Sequence, residues 1–346
     1  MRRRSQFNSR MQPGENAPWL SEVIRTLPRT WRMYRQLIAE AERRRPDVFV
    51  AIDFADFNFC LGQALHARGI PVVYYISPQL WAWRPGRINT MRRFVREVLV
   101  IFPFESAIYE RAGIPVAFVG HPLLELLAAP VSRDTFLAQI GLGPEAPTIG
   151  LLPGSRRNEV RETWPVLISA ARQLQQQRPN IQFVVAQAPG LPDALFDTPS
   201  AAGLRLARVR DDTDAVIAAS DVVVTASGTA TVQTALHGIP MVIVYRLSPL
   251  TYKLGRPFVK VDTFGMVNLI AGRRIVPELI QDDFTPAKVV HEVDRYLSDA
   301  AYAEDVRRSL AEVRVALGGP GASARAASQV LEIARKGRPH GQAVLA

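Results

Sequence analysis

Thr148-Ile149-Gly150-Leu151-Leu152, followed at once by Pro153-Gly154-Ser155-Arg156, is a strand running into a small-residue turn. The five strand residues show no polar alternation, the pattern of a strand buried on both faces. The turn opens a helical pattern through Val160 to Leu174. The same arrangement recurs downstream, where Asp221 to Thr225 leads into Ser227-Gly228-Thr229-Ala230-Thr231 and a helical pattern from Val232 to Leu236. A turn from strand into helix leaves backbone N–H groups and a positive dipole end pointing into a crevice. Phosphate is the usual occupant, and Arg156 adds a fixed cation with fork geometry. Two such turns in one α/β unit imply a diphosphate between helix ends, although βα turns also use Gly for backbone reasons alone.

Outward from this pair the alternation of strand and helix is regular. Strand patterns fall at Val48–Ile52, Pro71–Ile76, Val98–Phe102 and Val116–Val119, with helical stretches such as Gly62–Arg68 and Glu105–Ala112 between them. A second series comprises Thr148–Leu152, Ile181–Ala186, Leu204–Ala207, Asp221–Thr225 and Pro240–Tyr245. Continuous apolar strands, each followed by a helix, make parallel sheets covered on both faces. The fold expected is therefore α/β, two doubly wound Rossmann-like domains with ligands at the carboxyl ends of the strands. The expected division is residues 1–130, residues 131–310 and a helical tail at 311–346, with Pro122 to Pro147 as linker. Three helices are expected between Pro286 and Lys336.

Composition narrows the setting. With 346 residues, 48% of them hydrophobic, the chain can bury a sizeable core. No apolar run reaches the ~18–20 residues of a membrane-spanning helix, and Met1 to Asn16 lacks a signal-peptide core, so a cytoplasmic location is expected. The lone Cys60, placed in a core helix, agrees with that. The net charge of +10 is concentrated near the start, where eleven Arg in residues 1–45 face four Glu. Leu20, Val23, Ile24, Leu27, Trp31, Tyr34, Leu37, Ile38 and Ala41 recur at helical spacing there, and the Arg residues take the other face. Such a basic amphipathic helix suits an anionic membrane surface or its own domain, with Pro28 kinking it or starting a second helix. No recognition motif or aromatic-basic interleaving points to nucleic acid.

Several residues have the chemistry of a site. Asp53 and Asp56 follow the strand at Val48–Ile52; Asp56 suits the cap of the next helix, which leaves Asp53 as general-base candidate. The loop Ser77-Pro78-Gln79-Leu80-Trp81-Ala82-Trp83-Arg84 offers Trp81, Trp83 and Arg84 to a sugar ring or acyl chain. His121 ends a strand, where it is either a phosphate contact or structural. Asp211-Asp212-Thr213-Asp214 has the Asp-x-Asp spacing of metal-dependent transferases, but it opens a helix and capping explains it. No cluster has metal-ligand spacing. Ser227 lacks a Gly-x-Ser-x-Gly elbow, and neither turn carries the Gly-Lys-[Ser/Thr] of a P-loop. Met266 to Gly272 reads as a functional loop and Val276 to Gln281 as a helix start.

Taken in order, these runs resemble the lipid-A-disaccharide synthase family, inverting glycosyltransferases of the two-Rossmann (GT-B) architecture. The landmarks are Asp47 to Asp53, Ser77 to Arg84, Phe102-Pro103-Phe104-Glu105, Val119-Gly120-His121-Pro122-Leu123, Leu152 to Arg156, Ala226 to Ala230, and the Asn268 and Pro277 segments. The resemblance implies UDP-2,3-diacylglucosamine as donor and 2,3-diacylglucosamine 1-phosphate as acceptor. It makes Asp53 the base and Asn268 an active-site residue. Gly154, Ser155, Arg156, Ser227, Gly228, Thr229, Ala230 and Gln233 become the UDP and phosphate contacts. Trp81, Trp83, Arg84 and His121 become acceptor or acyl contacts. Helix dipoles and Arg then stand in for a metal, and no cofactor is expected. A peripheral position on the cytoplasmic face of the inner membrane follows from acylated, anionic substrates.

Two departures from the family pattern carry expectations. The family begins with roughly seventy residues, including a Gly-Glu-Ala-Ser-Gly-Asp run, to which Met1 to Pro18 shows no likeness. A late start of a longer reading frame or a decayed copy is expected, decided by the DNA immediately upstream, with unpaired strand edges in the first sheet. The second departure is Gln233, where the family usually has a Glu that accepts from the nucleotide ribose. A non-catalytic nucleotide-sugar-binding remnant and a UDP-N-acetylglucosamine 2-epimerase are the rival readings.

Overall fold

The computed structural model describes residues 18–78, 86–127, 132–246, 263 and 265–336. A long helix α1 (Pro18–Arg44) precedes a first series: β1 (Phe49–Ile52), α2 (Ala55–His66), β2 (Val72–Tyr75), α3 (Arg87–Met91), β3 (Glu97–Val100), α4 (Pro103–Arg111) and β4 (Val116–Phe118). Pro28 lies inside α1, which runs on through it. These four strands form a parallel sheet in the simple order β1-β2-β3-β4. As expected, an edge is left open: β1 has a partner on one side alone among the described residues, and Ile52 is 52% exposed.

Short helices α5 (Leu123–Leu126) and α6 (Arg133–Gln139) fill the segment read as linker. Arg133 ties it to the second unit, donating to Ala219 O (2.8 Å) and Ala146 O (3.2 Å) and pairing with Asp221 (2.9 Å). The second unit contains β5 (Thr148–Leu152), α7 (Arg157–Gln177), β6 (Gln182–Gln187), β7 (Leu206–Arg210), α8 (Thr213–Ala218), β8 (Val222–Ala226), α9 (Thr229–Leu236) and β9 (Met241–Tyr245). It continues through α10 (Met266–Ala271), β10 (Glu278–Ile280), α11 (Pro286–Ser298) and α12 (Ala300–Ala316). Its sheet is all parallel, in the order β10-β9-β8-β5-β6-β7. Every residue of β5, β6 and β8 is buried, which is why these strands read as unbroken apolar runs.

Four readings of local structure are corrected. Met266 to Gly272 is a helix, α10, ended by Gly272 in the left-handed region, and Glu278–Ile280 is a strand rather than a helix start. Three residues are too few to display a period, and what makes them a strand is parallel pairing with Ile243–Tyr245. Asp56 is not the cap of α2, which starts earlier, at Ala55, and Asp56 pairs with Arg87. Cys60 lies on α2 but is exposed, not in the core. The reading of Asp212 as a helix cap holds, since its Oδ1 accepts from Ala215 N at 3.0 Å.

The three tail helices are present, and the last, α13 (Ala322–Lys336), crosses back to the first unit. Residue 310 lies within α12. Arg325 on α13 donates to Val119 O (2.9 Å), Gly319 O (2.9 Å) and Pro320 O (2.8 Å). Beside it, His121 N donates to Leu317 O at 3.0 Å, so the outgoing and returning chain meet at one place.

Candidate active site

Read from β7, the second sheet runs β7-β6-β5-β8-β9-β10, with the first strand of the series in the middle. That is the 3-2-1-4-5-6 order of a dinucleotide-binding sheet, whose switch point lies between β5 and β8. Leu152 pairs with Thr225 there, and the two small-residue turns follow directly from these neighbours. The sequence implies two turns facing one diphosphate, and the strand order puts them side by side.

The turn after β5 is occupied by its own chain. Glu159, in the first turn of α7, accepts with Oε2 from Ser155 N (3.0 Å) and Arg156 N (3.2 Å). Its Oε1 accepts from Arg156 Nη1 at 2.8 Å. The Arg156 side chain is 79% exposed and that of Glu159 only 20%. Gly154, at φ 128°, makes this fit: a Cβ there would stand 2.7 Å from Glu159 Cβ and 2.8 Å from its Oε2. Thr163 secures the base of the turn by donating to Pro153 O at 2.5 Å.

No carboxylate covers the turn after β8 among the described residues. Ser227 N donates to Val244 O at 3.0 Å, and Thr231 donates through its hydroxyl to Gly228 O at 2.7 Å. Among the described residues nothing accepts the N–H of Gly228, Thr229 or Ala230. The space where a Cβ of Gly228 would stand is open, and Gly228 and Thr229 are exposed. Gln233 is half-buried on α9, and its amide makes no hydrogen bond among the described residues.

Tyr245, which sequence reading missed, ends β9 beside this pair. Burial raises its phenol pKa, the Glu159 carboxylate raises it further and the Arg156 guanidinium opposes both, so the ring lies within electrostatic reach of the first turn. Its signal was one Tyr at the carboxyl end of an apolar run, indistinguishable from core. Arg246 next to it donates to Gln281 O at 3.3 Å and lies over the Phe284 ring, which fixes the segment after β10.

Asn268 is enclosed at 1% exposure, and its amide serves the chain. Oδ1 accepts from Ile275 N (2.8 Å) and Val276 N (3.0 Å), while Nδ2 donates to Val276 O (2.9 Å) and Glu278 Oε1 (2.7 Å). Glu278 Oε1 also accepts from Gly265 N at 3.0 Å. A side chain on Gly265 would meet Ile243 Cδ1 at 2.4 Å and Glu278 Oε1 at 2.9 Å, so it would displace the ends of both side chains at the entry to α10.

Asp53 stands in the other sheet, at the carboxyl end of β1, and no hydrogen bond or ion pair joins it to either turn among the described residues. It and Phe54 both adopt left-handed backbone, with φ of 47° and 40°. Each such non-glycine residue costs about 1–3 kcal/mol, strain that collects at functional sites. Asn58 sustains the bend, donating through Nδ2 to Ile52 O (3.0 Å) and Asp53 O (2.8 Å). The Asp53 carboxylate is exposed.

His121 is buried where the two units meet. Its ring is 5% exposed, packs against Phe102 at 5.2 Å, and accepts at Nδ1 from Leu123 N at 3.2 Å. Burial lowers its pKa to about 4, so the ring is neutral and holds the chain crossing. Trp81, Trp83 and Arg84 lie outside the described residues. Among the described residues no group of three or more His, Cys, Asp or Glu is placed to hold a metal ion.

The sequence profile of the family described as lipid-A-disaccharide synthetase matches residues 18–332. The chain belongs to the lipid-A-disaccharide synthase family. It is 44% identical over 314 residues to the lipid-A-disaccharide synthase of Geobacter sulfurreducens, a match covering 90% of this chain and 81% of that relative. Two solved structures share the fold. The UDP-GlcNAc 2-epimerase of Neisseria meningitidis, bound to UDP-GlcNAc, has a TM-score of 0.63 at 12% identity, covering 93% of this chain and 84% of that one. A calicheamicin glycosyltransferase has a TM-score of 0.56 at 19% identity, covering 92% and 84%. At such identities the likeness is one of architecture, and the epimerase reading has no support beyond it. Family membership makes the chain a glycosyltransferase, and both sheets fit the GT-B lipid-A-disaccharide synthase fold.

Proposed function

We propose that this chain joins UDP-2,3-diacylglucosamine to 2,3-diacylglucosamine 1-phosphate, giving the β-1,6-linked lipid A disaccharide 1-phosphate and UDP. The observation that carries the reading is the adjacency of the two turns at the switch point, on β5 and β8. The amides of Gly228, Thr229 and Ala230 donate to phosphate oxygens, and Arg156 supplies the cation that stabilises UDP as it leaves. Gln233 lies one turn along α9, where its amide meets the ribose. Asp53 removes the proton from the acceptor 6-hydroxyl as that oxygen attacks the donor anomeric carbon. The bond from that carbon to the diphosphate breaks on the opposite face, so configuration inverts. Asn268 acts at a distance, its four bonds holding the strand and helix that close one side of the site.

The acyl chains require access to a lipid surface. Helix α1 ends in Arg43 and Arg44 and exposes Trp31 (62%), Met33 and Leu37, with Arg29, Arg32 and Arg35 interspersed. Trp31 stacks on Tyr34, Tyr34 meets Phe57 edge-on, and Phe57 stacks on Phe54 beside Asp53. This aromatic run supports peripheral attachment to the cytoplasmic face of the inner membrane, with acyl chains led toward the base. No helix among the described residues is long and apolar enough to cross a membrane.

One assay tests the reaction: the purified chain with UDP-diacylglucosamine, with and without acyl acceptor. Acceptor-dependent UDP release supports the transferase, epimerised sugar replaces it with the isomerase, and UDP binding without turnover leaves a remnant. Co-flotation with anionic vesicles, lost at high salt, is the outcome expected for membrane attachment.

A further inference from the structure

Glu159 takes up the donors expected to face a phosphate. Its carboxylate spans the Ser155 and Arg156 amides and the Arg156 guanidinium, at 3.0, 3.2 and 2.8 Å. These are the charge-assisted contacts a phosphate oxygen would make at a helix start. The arrangement is built into the backbone, because only glycine at 154 leaves room for the carboxylate to lie over the turn. At the equivalent third position of α9 stands Thr231, whose hydroxyl turns to the Gly228 carbonyl, and among the described residues nothing accepts the amides of Gly228, Thr229 and Ala230.

We infer that Glu159 sets the donor affinity of this site, competing with the diphosphate for Arg156 and for the Ser155 and Arg156 amides. The inference rests on the nucleotide-sugar reading above. A diphosphate brought to the switch point meets a like charge at one turn and bare donors at the other. It therefore seats on the Gly228 turn, and Arg156 is shared between Glu159 and the ligand. Sharing weakens the hold on UDP, which favours its departure after transfer. A residue that merely capped α7 would have the opposite signature, because its loss would loosen the turn and weaken binding.

Glu159→Gln separates the two roles. Glutamine keeps an acceptor oxygen for the amides and removes the charge. Calorimetry on the full chain with UDP and with uridine is the measurement. UDP affinity is expected to rise roughly tenfold at low salt, with most of the gain lost at about 0.5 M salt. Uridine, which carries no phosphate, is expected to bind equally to both proteins. Unchanged or weaker UDP binding, or an equal gain for uridine, overturns the inference. Should thermal unfolding show that Glu159→Gln disturbs the fold, Glu159→Asp keeps a carboxylate and sets its charge back from the turn by one methylene, and a smaller UDP-selective gain is expected. UDP bound without acceptor-dependent release sinks the transferase reading while the UDP and uridine comparison still decides the role of Glu159. A wild-type chain that binds no UDP overturns both.

Discussion

The turn after β5 and the turn after β8 begin alike, with a buried strand, a glycine and a helix, and they end in different states. In the first, Glu159 reaches back from α7 and takes two amides and a guanidinium. In the second, Thr231 spends its hydroxyl on a carbonyl and the amides of Gly228, Thr229 and Ala230 meet no acceptor among the described residues. One residue at the third helical position makes the difference. A helix N-terminus is thus a potential anion site, and its own first-turn side chains decide whether a ligand finds it vacant.

The largest change expected lies outside both turns. Asp53→Asn should lower the transfer rate by roughly 10²–10⁴-fold with UDP affinity unmoved, because a lost general base acts on the chemical step. A parallel loss of UDP binding would tie Asp53 to the turns and break the separation between base and donor seat. Thr231→Glu makes the second turn like the first, placing a carboxylate over its open amides. UDP binding by calorimetry should weaken by roughly a hundredfold, and unchanged affinity would show that the bare turn is not the diphosphate seat. Gln233→Glu restores an anionic acceptor one turn along α9 and should tighten UDP by ~1–2 kcal/mol through the ribose hydroxyls. No gain would remove the ribose from Gln233.

The smallest effect concerns the crossing between the units. Burial holds the His121 pKa at about 4, below its ordinary value, so the unfolded chain takes up a proton that the folded chain refuses. The stability this ring contributes is complete above about pH 6.5 and falls away as the pH drops toward 4, amounting to about 1 kcal/mol lost by pH 5.5. Chemical denaturation at pH 7 and 5.5 measures it, and His121→Gln should flatten the slope. An unaltered slope would place the titration elsewhere.

What could be read beforehand follows the physics of each element. Strands β5, β6 and β8 were legible because burial on both faces writes an unbroken apolar run. Both turns were legible because each such run meets a small-residue turn. Strand β10 was not, since its three residues depend on pairing with β9. Glu159 escaped because its cap partner is Arg156, so the usual Ser/Thr-x-x-Glu signature is absent. Asp56 misled because its helix is entered through two left-handed residues, which move the start two positions earlier than a cap by Asp56 would. Tyr245 needed three dimensions, because its importance comes from a neighbouring strand; Asn268 was reached by resemblance, and only the fold shows its four bonds to a segment still to come.

The meeting of Val119 to His121 with Leu317 to Arg325 has a consequence for how the chain can be cut and rejoined. The path leaves the first unit at His121, builds the whole second sheet, and re-enters at Leu317, with the two points joined by a hydrogen bond of 3.0 Å. The second unit is topologically a cassette inserted into the first, and α13 is the last piece of its host. Excising residues 122–317 and closing the gap with a short linker would leave the first sheet with its own final helix. The excised cassette would carry both turns, whole, on a body whose ends already touch.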